Sequence, residues 1–178
     1  MTENHLLDTR RQKDDFFKQH PQSPLTPEQQ AYFSGLRYYD LNPALDLTIT
    51  VERLNDGKTV PIQTTTGEIR QYQRYGHFTF TVDSEEVALT IYQADFGFFL
   101  PFVDAGAGTE TYPAGRYLEP EDLGDNLFRV DFNLAYNPYC AYSPEWSCPI
   151  TPAENRLKVA IRAGEKLPEG DWVGQSSE

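Results

Sequence analysis

The chain has 178 residues, 39% of them hydrophobic, with 11 Phe and 11 Tyr. That is enough to bury a core without metals or disulfides, and too aromatic for a disordered chain. The formal net charge of -12, from 27 acidic and 15 basic residues, disfavours nucleic-acid backbones and anionic membrane surfaces and favours solubility through self-repulsion.

No stretch is long and apolar enough to span a membrane as a helix. The start, Met1-Thr2-Glu3-Asn4-His5, has neither the basic nor the apolar region of a secretory signal, so a cytoplasmic location with reduced cysteines is expected. The length suits one domain over 1–178: a helical arm at 5–34, a β body at 44–165 and a loose tail at 166–178, with Trp172 as its one anchor.

Residues 5–19 carry a thin apolar stripe of Leu6, Leu7, Phe16 and Phe17, which predicts a helix packed on the body through the two Phe and ended by His20-Pro21. Thr26-Pro27-Glu28-Gln29 has a hydroxyl at the N-cap, Pro at the first helical position and Gln three residues after the cap, which predicts a second short helix, with Gly35 as its stop. The period then changes to two. Leu45, Leu47, Ile49 and Val51 alternate with polar residues, as in a half-buried strand. Asn55-Asp56-Gly57 predicts a turn, Val60-Pro61-Ile62 an edge strand, and Ile69 to Tyr72 another strand. Phe78, Phe80 and Val82 answer Val87, Leu89 and Ile91 across a hairpin loop of about four residues, Asp83 to Glu86. Phe96 to Phe102 is a nearly continuous apolar run and should be buried on both faces. Phe128, Val130 and Phe132 predict a later strand, and Leu157, Val159 and Ile161 the last. The whole reads as mainly β: an antiparallel sandwich or partly open barrel with one or two N-terminal helices.

Three segments stand apart from this scaffold. The Gly-rich loop from Asp104 to Tyr117 follows a buried strand, lacks the Lys of a phosphate loop, and reads first as a turn. Arg129, Asp131 and Asn133 alternate with Phe128, Val130 and Phe132, which would put all three on the face opposite the core, either as plain surface or at a barrel mouth. The run Tyr136 to Pro149 fits no helix or strand period, and long ordered loops of this kind are functional or wrapped on the body. Within it, Cys140 and Cys148 have the wrong spacing for a structural zinc site, and the available histidines do not complete one, so no metal is expected. A disulfide closing the loop and two buried thiols both remain open.

Several of these stretches together resemble a known family. They are Phe99-Leu100-Pro101-Phe102-Val103-Asp104, Gly115-Arg116-Tyr117-Leu118, Asp131 to Tyr142, Cys148-Pro149, Glu154-Asn155-Arg156-Leu157 and Ile161-Arg162-Ala163-Gly164-Glu165. With Lys13-Asp14-Asp15-Phe16-Phe17 and Gly35-Leu36-Arg37-Tyr38-Tyr39 upstream, they are similar to the domain of unknown function 1684 over roughly residues 8–166. The resemblance implies an uncharacterised bacterial or archaeal protein. It supplies no reaction, no cofactor and no catalytic residue.

The leading expectation is a small-molecule site under the 104–155 loops, where tyrosines (Tyr112, Tyr117, Tyr136, Tyr142) and Trp146 mix with a few polar groups. Candidate ligand contacts are Arg116, as a clamp for an anionic group, with Tyr117, Asp131, Asn133, Tyr136, Asn137, Cys140, Glu154 and Asn155. One alternative is a hydrolase-like enzyme with Asp131 or Glu154 as general base or Cys140 as nucleophile. Another is a structural loop in which Asn137, Asn155 and the tyrosines satisfy buried backbone groups.

Overall fold

The computed structural model describes residues 2–54 and 57–168. The predicted turn at Asn55-Asp56 and the Trp172 anchor lie outside the described residues. The N-terminal arm opens with α1 (Glu3–Gln19), capped by Thr2, whose hydroxyl accepts from His5 N–H, and ended at His20. Helix α2 (Pro27–Tyr32) carries the full capping box: Thr26 accepts from Gln29 N–H while the Gln29 side chain accepts from Thr26 N–H. It ends at Phe33, before Gly35, because only one turn and a half of the sequence is helical.

Nine strands follow among the described residues, all paired antiparallel. They are β1 (Asp46–Thr50), β2 (Glu52–Arg53), β3 (Thr59–Gln63), β4 (Ile69–Val82), β5 (Glu85–Ala94), β6 (Gly97–Phe102), β7 (Arg116–Leu118), β8 (Glu121–Gly124) and β9 (Leu127–Asp131). A smaller sheet has the order β1-β9-β8, and a larger one β2-β4-β5-β6-β7 with β3 also on β4. The sheets do not close on each other, so of the two architectures expected, the sandwich is the one formed.

The two sheets enclose one core, with Phe78, Phe80, Leu89, Ile91, Leu100 and Phe102 meeting Phe128, Val130 and Phe132. The larger sheet is covered on its other side too. Ile91 and Tyr92, Phe99 and Leu100, Tyr117 and Leu118 are neighbours in sequence, yet the members of each pair belong to different clusters. Side chains alternate across a strand, so each pair straddles the sheet. The second cluster joins Tyr92, Phe99 and Tyr117 to Phe17 of α1, Leu25, Phe33 and the loop residues Cys140, Tyr142 and Cys148. The apolar run in β6 follows from this double covering, although Phe96, just before the strand, is 66% exposed.

Four expectations are corrected. The strand through Ile69 and the strand through Phe78 are one, β4, with a bulge between Arg74 and Gly76. The bulge inserts a residue and flips the alternation, so Tyr72 and Phe78, both even-numbered, face different clusters. The β4–β5 hairpin turns on two residues, not four: Asp83 and Ser84 both have positive φ and Val82 pairs with Glu85. Leu157, Val159 and Ile161 form no strand; their segment is held by the parallel bridge of Val103 to Arg156 and by side chains. Finally, β9 ends at Asp131, and residues 132–134 form a 3-10 turn capped by the Asp131 carboxylate. Arg129 is partly exposed, but Asp131 and Asn133 are buried, so the three do not share an outward face.

Candidate functional site

The loop from Tyr136 to Pro149 is wrapped on the larger sheet and tied at both ends. Tyr136 exchanges backbone hydrogen bonds with Tyr117 of β7, at 2.8 and 3.0 Å. At the far end, Thr65 N–H donates to Cys148 O, Ile150 N–H donates to Gln63 O, and Cys148 N–H donates to the Thr65 hydroxyl. Between these ties Tyr139–Ala141 makes a 3-10 turn that drives Cys140 and Ala141 into the second cluster.

The loop and α1 frame an open groove of about 470 Å³ lined by Lys13, Tyr117, Tyr136, Pro138, Tyr139, Trp146 and Cys148. Tyr139 and Trp146 meet edge to face with ring centroids 4.9 Å apart, and Tyr117 and Tyr136 do so at 6.0 Å. The hydroxyls of Tyr117 and Tyr136 are engaged. Tyr117 donates to Pro149 O and Tyr136 to the Glu119 carboxylate. Burial pushes the phenols of Tyr117 and Tyr136 far above the ordinary range, so both walls are neutral. The Lys13 ammonium sits 5.1 Å over the Tyr136 ring and is paired with the buried Glu165 carboxylate. The groove therefore presents rigid aromatic faces with little net charge.

Cys140 and Cys148 are free, buried thiols, of which Cys148 belongs to the lining. Their side chains are hydrogen-bonded to each other, which raises the Cys140 thiol and lowers the Cys148 thiol. Cys140 is therefore the wrong member of the pair for a nucleophile at neutral pH.

The other expected contacts are dispersed. Arg116 is buried and turned inward, donating to the carbonyls of Ile161, Ala163 and Glu165 beside Asp104, so it cannot clamp a ligand. Asn155 accepts from Thr90 N–H and donates to Thr90 O and Pro101 O with no exposure. Asn133 exchanges two hydrogen bonds with the Asn42 backbone. Asn137 donates its N–H to Glu165 and its amide to Tyr142 Oη and Lys166 O. Glu154 is held by both arms of Arg74 and by the Tyr92 hydroxyl. Burial pulls the Glu154 carboxyl up, but these hydrogen bonds outweigh it and leave it below the ordinary value, which makes it a poor base. Asp131 caps its 3-10 turn and faces Arg129 at 3.7 Å. Asp131 and Glu154 share no partner and line no common cavity, so the carboxylate pair of the hydrolytic reading is not assembled.

Of the nine expected residues, the groove gathers Tyr117 and Tyr136, with Cys140 just below. Lys13 was missed because it comes from the N-terminal arm, and Tyr139 and Cys148 because a loop without periodicity gives no facing direction. Other concavities lie elsewhere on the surface. A cleft of about 200 Å³ between Glu119 and Asp131 is small, and its Arg129 is bidentate to Asp46. A larger hollow over β3, β4 and β5 mixes Arg70, Gln71, Gln73, Gln93 and Asp95 with Tyr72, Ala94 and Phe96. No group of three metal-ligating side chains exists among the described residues, and no helix among them is long and apolar enough to cross a membrane.

Comparison with known proteins agrees with the sequence resemblance. The profile described as "Protein of unknown function (DUF1684)" matches residues 31–166. The chain belongs to the DUF1684 family. It is similar to an uncharacterised protein of Haloarcula marismortui solved by solution NMR, with 38% identity, a TM-score of 0.69, and coverage of 92% of this chain and 93% of that one. Among curated proteins, none matches. Within the segments that carry the family resemblance, Arg116, Asn137 and Asn155 are buried, whereas Tyr117, Tyr136, Pro138, Tyr139 and Cys148 line the groove.

Proposed function

We propose that this DUF1684 protein is a small-molecule-binding β domain of the cytoplasm, and that its site is the aromatic groove. The observation that carries the reading is the meeting of four aromatic side chains, Tyr117, Tyr136, Tyr139 and Trp146, around a volume of about 470 Å³. That volume is within the usual range of ligand sites, about 300–1,000 Å³. Trp146 is 40% exposed, although burying it would be favourable, and a bound ligand would cover it.

The ligand class is a flat, largely apolar molecule that is neutral or cationic. Lys13 is already neutralised by Glu165, Glu119 stands at the rim, and the whole chain is at -12. Aromatic faces attract cations, while an anion would find no unpaired positive charge in the lining. Nucleic acid and anionic membrane are not the partners this charge favours.

The test is saturation-transfer NMR with indole, benzylamine and benzoate at millimolar concentration. Transfer to indole and benzylamine, weak transfer to benzoate, and loss of transfer in Tyr139→Ala/Trp146→Ala support the groove. No transfer from wild type, or undiminished transfer in the double variant, rules it out.

A further inference from the structure

We propose that Cys148 and Cys140 form a reactive dithiol, with Cys148 as the attacking sulfur and Cys140 as the resolving one, that reduces small disulfides entering through the aromatic groove. Four observations bear on it. Cys148 lines the groove, whereas Cys140 does not. The two thiols are a hydrogen-bonded pair within one cluster. The Cys148 sulfur is the acceptor of that pair and is also approached by the backbone N–H groups of Cys140 and Tyr139. Every one of those donors favours its thiolate. Behind it, Cys140 lies 3.8 Å from the Tyr112 hydroxyl and keeps its proton.

The groups facing the pair are Arg70, whose charge also favours the Cys148 thiolate, and the neutral phenols of Tyr112 and Tyr117, both pushed up by burial. Cys148 is itself buried, at 7% exposed, but it has these donors and belongs to the lining of the groove.

The chemistry balances as a two-electron exchange. The Cys148 thiolate attacks one sulfur of RSSR, forming a mixed disulfide and expelling RS⁻, which takes up the proton Cys148 released. Cys140 then gives up its proton and attacks the Cys148 sulfur, closing the Cys140–Cys148 disulfide and expelling the second RS⁻, which leaves as RSH. The two protein thiols are oxidised and the small disulfide is reduced to two thiols. This uses the groove as an opening and not as a resident binding site, so it stands or falls separately from the ligand reading.

The test treats the folded full chain with glutathione disulfide at pH 7.5, quenches with acid, and reads intact mass and peptide maps. Wild type is expected to lose two hydrogens through a Cys140–Cys148 link. Cys140→Ser should trap one glutathione on Cys148, and Cys148→Ser should stay unmodified while folded. For wild type, which raises no folding question, alkylation of Cys148 by iodoacetamide should stay fast at a pH where alkylation of free glutathione has slowed, as a lowered thiol requires. The proposal is overturned if folded wild type is inert to both reagents while denatured protein reacts. It is equally overturned if Cys140 is alkylated first, or if Cys148→Ser takes up glutathione as fast as Cys140→Ser.

Discussion

Asp104 and Arg116 lie 3.6 Å apart with both side chains 1% exposed. Around them the Thr111 hydroxyl and the Ile161 N–H donate to the Asp104 carboxylate at 2.7 and 2.8 Å, while Arg116 reaches the carbonyls of Ile161, Ala163 and Glu165. The pair takes the place of a strand: it supplies the partners that the backbone of 161–165 does not find in a sheet. Arg116→Met should therefore cost about 3–5 kcal/mol, because it strands a buried carboxylate and three carbonyls. Urea unfolding measures the loss. Under conditions where the variant is still folded, its affinity for benzylamine should match wild type, which separates this role from that of a ligand clamp.

Asn155 works in the same way between β5 and β6. Its side chain satisfies Thr90 N–H, Thr90 O and Pro101 O at 2.8 to 2.9 Å, with no exposure. Asn155→Ala should cost about 2–4 kcal/mol, since it leaves several buried groups unpaired. Chemical denaturation with unchanged m-value is the expected signature.

Two glycines make these close approaches feasible. Gly115 has φ of +101°, and a Cβ there would lie 2.5 Å from Phe102 O. Gly164 has φ of +80°, and a Cβ would lie 2.7 Å from Ala135 O. Both neighbours are backbone and cannot swing away. Gly115→Ala and Gly164→Ala should each lose about 2 kcal/mol or more through strain and clash, read as a lower Tm.

The tyrosines set an alkaline limit. Burial raises the phenols of Tyr92, Tyr117, Tyr136 and Tyr142, and raises the partly exposed Tyr39 to about 12. A raised phenol keeps its proton in the folded state and loses it when unfolded. The stability it contributes is fully present below the unfolded value of about 10 and falls as pH rises above it. Absorbance at 295 nm should thus show only part of the tyrosines ionising up to pH 11. The rest should appear cooperatively, together with loss of near-UV circular dichroism.

The sequence is legible where local chemistry decides. Thr26 to Gln29 names its own cap, and Leu47 with Ile49 names a one-faced strand. It is misleading where tertiary partners decide. The bulge at Tyr75 joins two apparent strands into one because the partner strand β5 is continuous. The β8 strand is acidic and exposed along its whole length, so it carries no apolar signal. Val159 and Ile161 alternate like a strand, yet their backbone bonds go to Asp104, Ala105 and Arg116. The proposed groove lies at the aromatic loop that the sequence singles out, but its lining is not the expected set. Arg116, Asn137 and Asn155 look like ligand groups in sequence because the same polar chemistry that binds a ligand also satisfies a buried backbone. Lys13 is far from the loop in sequence, and only the packing of α1 beneath Tyr139 and Tyr142 brings it there.

The most direct test of the aromatic groove is amide chemical-shift mapping of the ¹⁵N-labelled chain titrated with benzylamine. The account predicts saturable shifts concentrated at Lys13, Tyr117, Tyr136, Tyr139 to Tyr142 and Trp146 to Cys148. Shifts concentrated instead at the Glu119–Asp131 cleft or on the Gln71–Gln93 hollow, or no saturable shift at all, would contradict it.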